Sequence, residues 1–143
     1  MATWQGVNVN TGQTELPKFD ATGVTAAAYV ASLTTALANG DVILGPVVPA
    51  GVFLMDVKVD VQQLDSNGSP TITFEAGTAA TAGQFIATGN TTAQAGGIQA
   101  ANVAGTIGTT FSVPTAIQVT ITHAAATAKA GKMVIAALYT ATP

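Results

Sequence analysis

No cysteine occurs in the 143 residues, so disulfides and thiolate metal sites are excluded. Arginine is also missing, and the four cations are Lys18, Lys58, Lys129 and Lys132. Against seven acids they leave a formal net charge of −3. Nucleic-acid recognition needs a cationic footprint for the phosphates, so no nucleic-acid partner is expected. Charged residues make up only 8% of the chain, against about 25% in an ordinary soluble domain. No run of about 18 apolar residues is present, so no membrane-spanning helix is expected. The opening residues, MATWQGVNVN, lack the basic flank and apolar run of a signal peptide.

What is present is small and β-forming. Apolar residues reach 48%, but 28 of them are alanine, and there are 23 threonines. Valine, isoleucine and threonine are stiff at χ1 and sit well on a pleated surface. Leucine is sparse, as are the Glu, Lys and Arg that usually clothe helices. Composition therefore points to an all-β fold.

Residues 1–23 read as an irregular arm, punctuated by Gly6, Gly12, Pro17 and Gly23. The arm also carries Trp4, Leu16 and Phe19. Large apolar side chains on such a segment dock on something, either their own domain or a neighbouring subunit or partner. Residues 24–143 are expected to form a single domain. Its first stretch, VTAAAYVASLTTALAN, fits two patterns. Val30, Leu33 and Leu37 suit a helical face, whereas Tyr29, Ala31 and Leu33 suit alternation. The β character of the rest favours a strand.

From Asp41 the pattern is clearer. DVILGPVV reads as a short strand broken at Gly45-Pro46, and Pro49-Ala-Gly51 as a turn. In VFLMDVKVDV the alternation places Phe53, Met55, Val57, Val59 and Val61 inside, with Asp56, Lys58 and Asp60 outside. Asp65-Ser-Asn-Gly is a loop, and TITFEA sends Ile72, Phe74 and Ala76 inward. Near the C-terminus AIQVTITHA alternates about Ile117, Val119 and Ile121. KMVIAALYT is more continuously apolar, as a strand in a sandwich interior would be. Several short strands with Gly and Pro turns predict an antiparallel β-sandwich or barrel. Between Glu75 and Lys129 no residue is charged. A free solvated surface normally carries mixed charges. That stretch is therefore either packed on its own sheet or covered by other subunits.

Candidate chemistry is thin. Asp56 and Asp60 are four apart on one strand, roughly 13 Å, whereas paired glycosidase carboxylates lie about 5–9.5 Å apart. Glu75 is expected to reach either of them only across a hairpin. Lys58 lies between the aspartates, which fits a solvated face with weak ion pairs. His123, the single histidine, would have to serve any Ser–His–acid mechanism, but no serine stands in a nucleophile-elbow context. The ligand spacings of zinc and calcium sites are absent, although Asp65-Ser-Asn-Gly could lend oxygens to a calcium ion. GTIGTTF is Gly-rich without the lysine of a phosphate loop. No cofactor, no metal and no enzymatic activity are expected.

Three runs carry a family resemblance. They are Gly40-Asp-Val-Ile-Leu-Gly with Val-Pro-Ala-Gly51, the strand leading to Leu64-Asp-Ser-Asn-Gly-Ser-Pro70 and TITFEAGTA, and the closing AIQVTITHAAATAKAGKMVIAALYT. Over roughly residues 40–80 and 113–140 the chain resembles small capsid decoration, or cement, proteins of tailed bacteriophages. The resemblance implies a jelly-roll-like β-sandwich with an N-terminal arm that lies on the capsid. It implies a virion protein on the outer capsid surface, bound to the major capsid protein and to copies of itself, commonly as a trimer, that stabilises neighbouring capsomers. Trp4, Leu16 and Phe19 of the arm are the expected contacts. The competing reading is a carbohydrate-binding or adhesion module on the same architecture, for which Trp4 and Tyr139 are the candidate aromatics.

Overall fold

The computed structural model describes residues 24–141. Eight strands and a single helical turn follow in order: β1 (Val24–Leu33), β2 (Val42–Val48), β3 (Val52–Val61), β4 (Thr73–Gly77), β5 (Ile86–Asn90), α1 (Thr92–Ala95), β6 (Gly97–Ala100), β7 (Thr115–His123) and β8 (Gly131–Ala141). They form two four-stranded sheets of order β1-β8-β3-β6 and β2-β7-β4-β5. Every strand pairing is antiparallel. The chain crosses between sheets at β1–β2, β2–β3, β3–β4, β5–β6, β6–β7 and β7–β8, which is the connectivity of a jelly-roll sandwich. The all-β expectation therefore holds.

Alternation in the sequence becomes burial in the sandwich. Val57, Val59 and Val61 of β3, Phe74 and Ala76 of β4, and Ile117, Val119 and Ile121 of β7 are all buried between the sheets. Met133, Ile135 and Ala137 of β8 join them. The other face of β8, with Val134, Ala136 and Leu138, is half-buried, as suits a strand flanked by β1 and β3. The ambiguous VTAAAYVASL is strand β1, paired with β8 residue for residue from Val24↔Thr140 to Leu33↔Gly131. Ten uninterrupted ladder positions outweigh the weak helical spacing of Val30, Leu33 and Leu37, because the backbone groups on the side facing β8 gain their partners across the ladder.

Three expectations need correction. Phe53 and Met55 are not core residues: they are 37% and 41% exposed, and Leu54 is buried instead. The register of β3 against β8 shifts between Leu54 and Asp56. A bulge there inserts one residue, so the inward parity changes from even to odd at Met55. β2 is not broken at Gly45-Pro46 but continues through a similar shift between Leu44 and Val47. Finally, β3 and β4 are not a hairpin, since they belong to opposite sheets.

Gly77, at the end of β4, is required by close approach. A Cβ there would lie 2.1 Å from the Thr81 carbonyl oxygen and 2.5 Å from that of Ala82. Those oxygens belong to a tight loop in which Thr81 O accepts from the N–H groups of Thr78 and Gln84. Backbone so tied cannot move aside cheaply. Gly77→Ala is expected to cost about 1–3 kcal/mol, read as a lowered denaturation midpoint with an unchanged slope.

Candidate interaction surface

The two ends and two outer faces of the sandwich differ in chemistry. At one end the loops are tied by a single carboxylate. Asp65, wholly buried, accepts hydrogen bonds from five backbone N–H groups. Oδ1 receives those of Asn67 (3.1 Å) and Thr127 (3.0 Å). Oδ2 receives those of Thr71 (2.8 Å), Ala126 (2.8 Å) and Ile72 (3.4 Å). Burial by itself would raise this carboxyl's pKa, but the backbone donors of Thr71, Thr127, Ala126 and Asn67 outweigh it and hold the group well below the ordinary carboxylate range. The β3–β4 loop is thereby fastened to the β7–β8 loop, with Lys129 N–H donating to Leu64 O at 2.9 Å beside it. The Asp65 carboxylate oxygens considered for calcium are thus engaged in binding the protein's own backbone, and Asn67 Oδ1 accepts the Ser69 N–H at 2.8 Å. This structural role was missed in the sequence, although an Asp opening a Ser-Asn-Gly turn was its local signal.

The opposite end is built from the uncharged stretch. Gly108 N–H donates to Leu54 O (2.7 Å), Leu54 N–H to Thr109 O (3.0 Å) and Gly51 N–H to Phe111 O (3.0 Å). The loop between β6 and β7 is thereby laid along the start of β3. Phe53 rests on Gly108, where an added Cβ would come within 3.2 Å of the ring. Ile107 and Val113 are 43% and 61% exposed nearby in the chain. Deeper in the stretch, Phe85, Ile86 and Ala93 are buried in the core. Of the two expectations for residues 76–128, packing on its own sheets is met by part of the stretch, and another part presents uncharged apolar surface.

The carboxylates do not converge. Asp56 and Asp60 lie on the outer face of one sheet, where Lys58 Nζ sits 3.8 Å from Asp56 Oδ2. Glu75 faces outward from the other sheet, since its neighbours Phe74 and Ala76 point into the core. The expected approach across a hairpin is thus overturned, because the whole sandwich stands between these acids. His123 ends β7 exposed, its Nδ1 3.1 Å from the Ala124 carbonyl oxygen. No cluster of three His, Cys, Asp or Glu side chains suited to a metal ion occurs among the described residues. Tyr139, a candidate for sugar stacking, packs against the core. Trp4, Leu16 and Phe19 lie outside the described residues.

Large exposed apolar side chains concentrate on one flank. Val24, Tyr29 and Val30 of β1 are 53%, 55% and 64% exposed. On the adjoining edge of the second sheet, Val42, Leu44 and Val47 of β2 are exposed as well. Surfaces of this composition suit protein contact more than catalysis.

Comparison with known proteins places this geometry. No family model and no curated protein matches the chain. Among solved structures, a chain of the capsid asymmetric unit of cyanophage Pam1 is 25% identical, with a TM-score of 0.74 over 94% of this chain and 98% of that one. A chain of the capsid of Ralstonia phage GP4 is 26% identical, with a TM-score of 0.76 over 92% of each. A chain of the acidic stable capsid of Helicobacter pylori bacteriophage KHP30 shares the fold at 16% identity, with a TM-score of 0.61 over 82% and 86%. What the first two likenesses support, over more than nine-tenths of both chains, is a phage capsid-associated protein with a structural role in the virion.

Proposed function

We propose that this protein decorates the outer surface of a phage capsid and cements neighbouring capsomers, with the major capsid protein as its partner. The likeness to chains of two phage capsids along nearly the full length of each is the observation that carries the reading. Its surface chemistry supports it. Exposed apolar side chains lie on a flank, on an outer face and at one end of the sandwich, and charge is scarce throughout. Contacts of that kind are little affected by salt, which screens surface ion pairs. Each is modest, but engaging several capsid subunits together multiplies apparent affinity. Residues 1–23 act as the arm that reaches the shell through Trp4, Leu16 and Phe19, and residues 24–143 are the domain that follows it. Copies associate on the shell, as a trimer by the resemblance. The role is structural and requires no catalysis.

The test is co-sedimentation of the purified protein with expanded, undecorated capsids of its own phage, at low and high salt. Saturation at a fixed stoichiometry with little salt dependence is expected, and absence of binding at both salts would dismiss the proposal. Deleting residues 1–20 is expected to leave a folded domain whose affinity for the shell falls at least about tenfold, the loss of one of several linked contacts. Undiminished binding by the truncated protein would remove the arm from the interface.

A further inference from the structure

The two sheets have four edge strands, and three are protected against pairing. β6 has four residues and β5 has five. β2 carries Pro46 and a register shift. Short length, proline and bulges are the devices that keep sheet edges from recruiting other strands. β1 has none of them. It runs for ten residues, pairs without a shift along one side to β8, and pairs with no other strand among the described residues. No charged residue occurs between Asp20 and Asp41, so the strand and both its flanks are neutral. Val24, Ala26, Ala28 and Val30 are exposed on one face and Tyr29 on the other.

We infer that β1 is a docking edge for β1 of a second copy, in antiparallel register about a two-fold axis, which joins two four-stranded sheets into one of eight. A two-fold contact sets residue i against residue j and residue j against residue i, within the same strand sequence. Like charges facing each other across strands are destabilising, so a self-pairing edge has to be neutral, as β1 is. Residues 1–23 are a poorer occupant. They contain Glu15, Lys18 and Asp20, lack a ladder donor at Pro17, and are interrupted by Gly6 and Gly12. Two ten-residue edges bury on the order of 1,000 Å² in total, near the lower limit of specific interfaces. Association is therefore concentration-dependent in solution and favoured where copies are crowded. The contact does not rest on shell binding. Where a trimer also forms, it joins trimers in pairs.

Sedimentation equilibrium of the full chain from about 1 to about 500 µM, a range that reveals a contact with a micromolar to sub-millimolar Kd, tests it. Species with even numbers of copies are expected. The double variant Ala28→Lys, Val30→Lys is expected to weaken association about tenfold or more, since lysine on an edge opposes pairing. Both side chains are exposed, so its thermal midpoint should match the parent. Mixing it with Ala28→Glu, Val30→Glu should restore association, a rescue that mere misfolding would not give. A monomer at every concentration, an odd-numbered assembly alone, or a lysine variant that associates like the parent would overturn the proposal. So would association that is lost only when residues 1–23 are removed. Capsid co-sedimentation is scored separately, so failure of shell binding with an intact two-fold contact would count against the cement role alone.

Discussion

Asp65→Ala is expected to lower the thermal midpoint by about 10 °C or more, because several buried backbone donors lose their acceptor together. The five N–H groups belong to two loops far apart in sequence, 67–72 and 126–127. Water cannot readily replace the carboxylate at a site with no exposure. Asp65→Asn keeps the shape and one acceptor oxygen, so a smaller loss is expected. The two variants differ most usefully in acid. A carboxyl whose folded pKa is depressed contributes its full stabilisation above its unfolded pKa, near 4. That contribution is lost progressively as pH falls from there toward the folded value. The parent should therefore lose stability steeply below about pH 4, and the gap between it and Asp65→Asn should narrow over the same interval. Thermal denaturation from pH 7 down to pH 2 reads both. A gap that stays constant with pH would mean the carboxylate charge is not what holds the loops.

Phe85→Ala is expected to cost about 3–5 kcal/mol, the usual range for emptying a fully buried aromatic site. In a chain of this length that is a fall of about 10–15 °C in the midpoint. Phe85 also ties the uncharged stretch to the sandwich through its backbone. Its N–H donates to Ala76 O at 2.9 Å, and its carbonyl accepts from Asn102 (2.8 Å) and Val103 (3.1 Å). Asn102 in turn accepts the Ala87 N–H at 2.9 Å through Oδ1. Loss of the ring should therefore raise amide exchange across residues 85–103 beyond the global change, while β1 and β8 follow global stability. Equal loss of protection everywhere would mean that the stretch is not a separate unit and that the ring supports only the common core.

Much of the sandwich was legible in the sequence because period-2 alternation is a local signal. Each residue of TITFEA or AIQVTIT is directed to one face by the pleat alone, and Phe74, Ile117, Val119 and Ile121 are buried as that rule requires. The assignment of Phe53 and Met55 failed for the same reason. Alternation carries no mark of an inserted residue, and the bulge after Leu54 arises from the fit of β3 to β8. The functional surface was less legible. The scarcity of charge pointed to contact rather than catalysis, but exposure of β1 and its neighbours depends on which strands became edges.

The sequence by itself determined a sparsely charged, β-rich chain with few acids and bases and no thiols, since composition and spacing limit the available chemistry before any fold forms. Tertiary structure alone decided three further things. It put Glu75 on the sheet opposite Asp56 and Asp60. It turned Asp65 from a loop acid into the fastening of two loops. It also left β1 as the one long edge without proline, bulge or charge among the described residues. The reason is common to all three. Strand order and loop proximity are set by contacts between residues many tens of positions apart, and no local pattern encodes them.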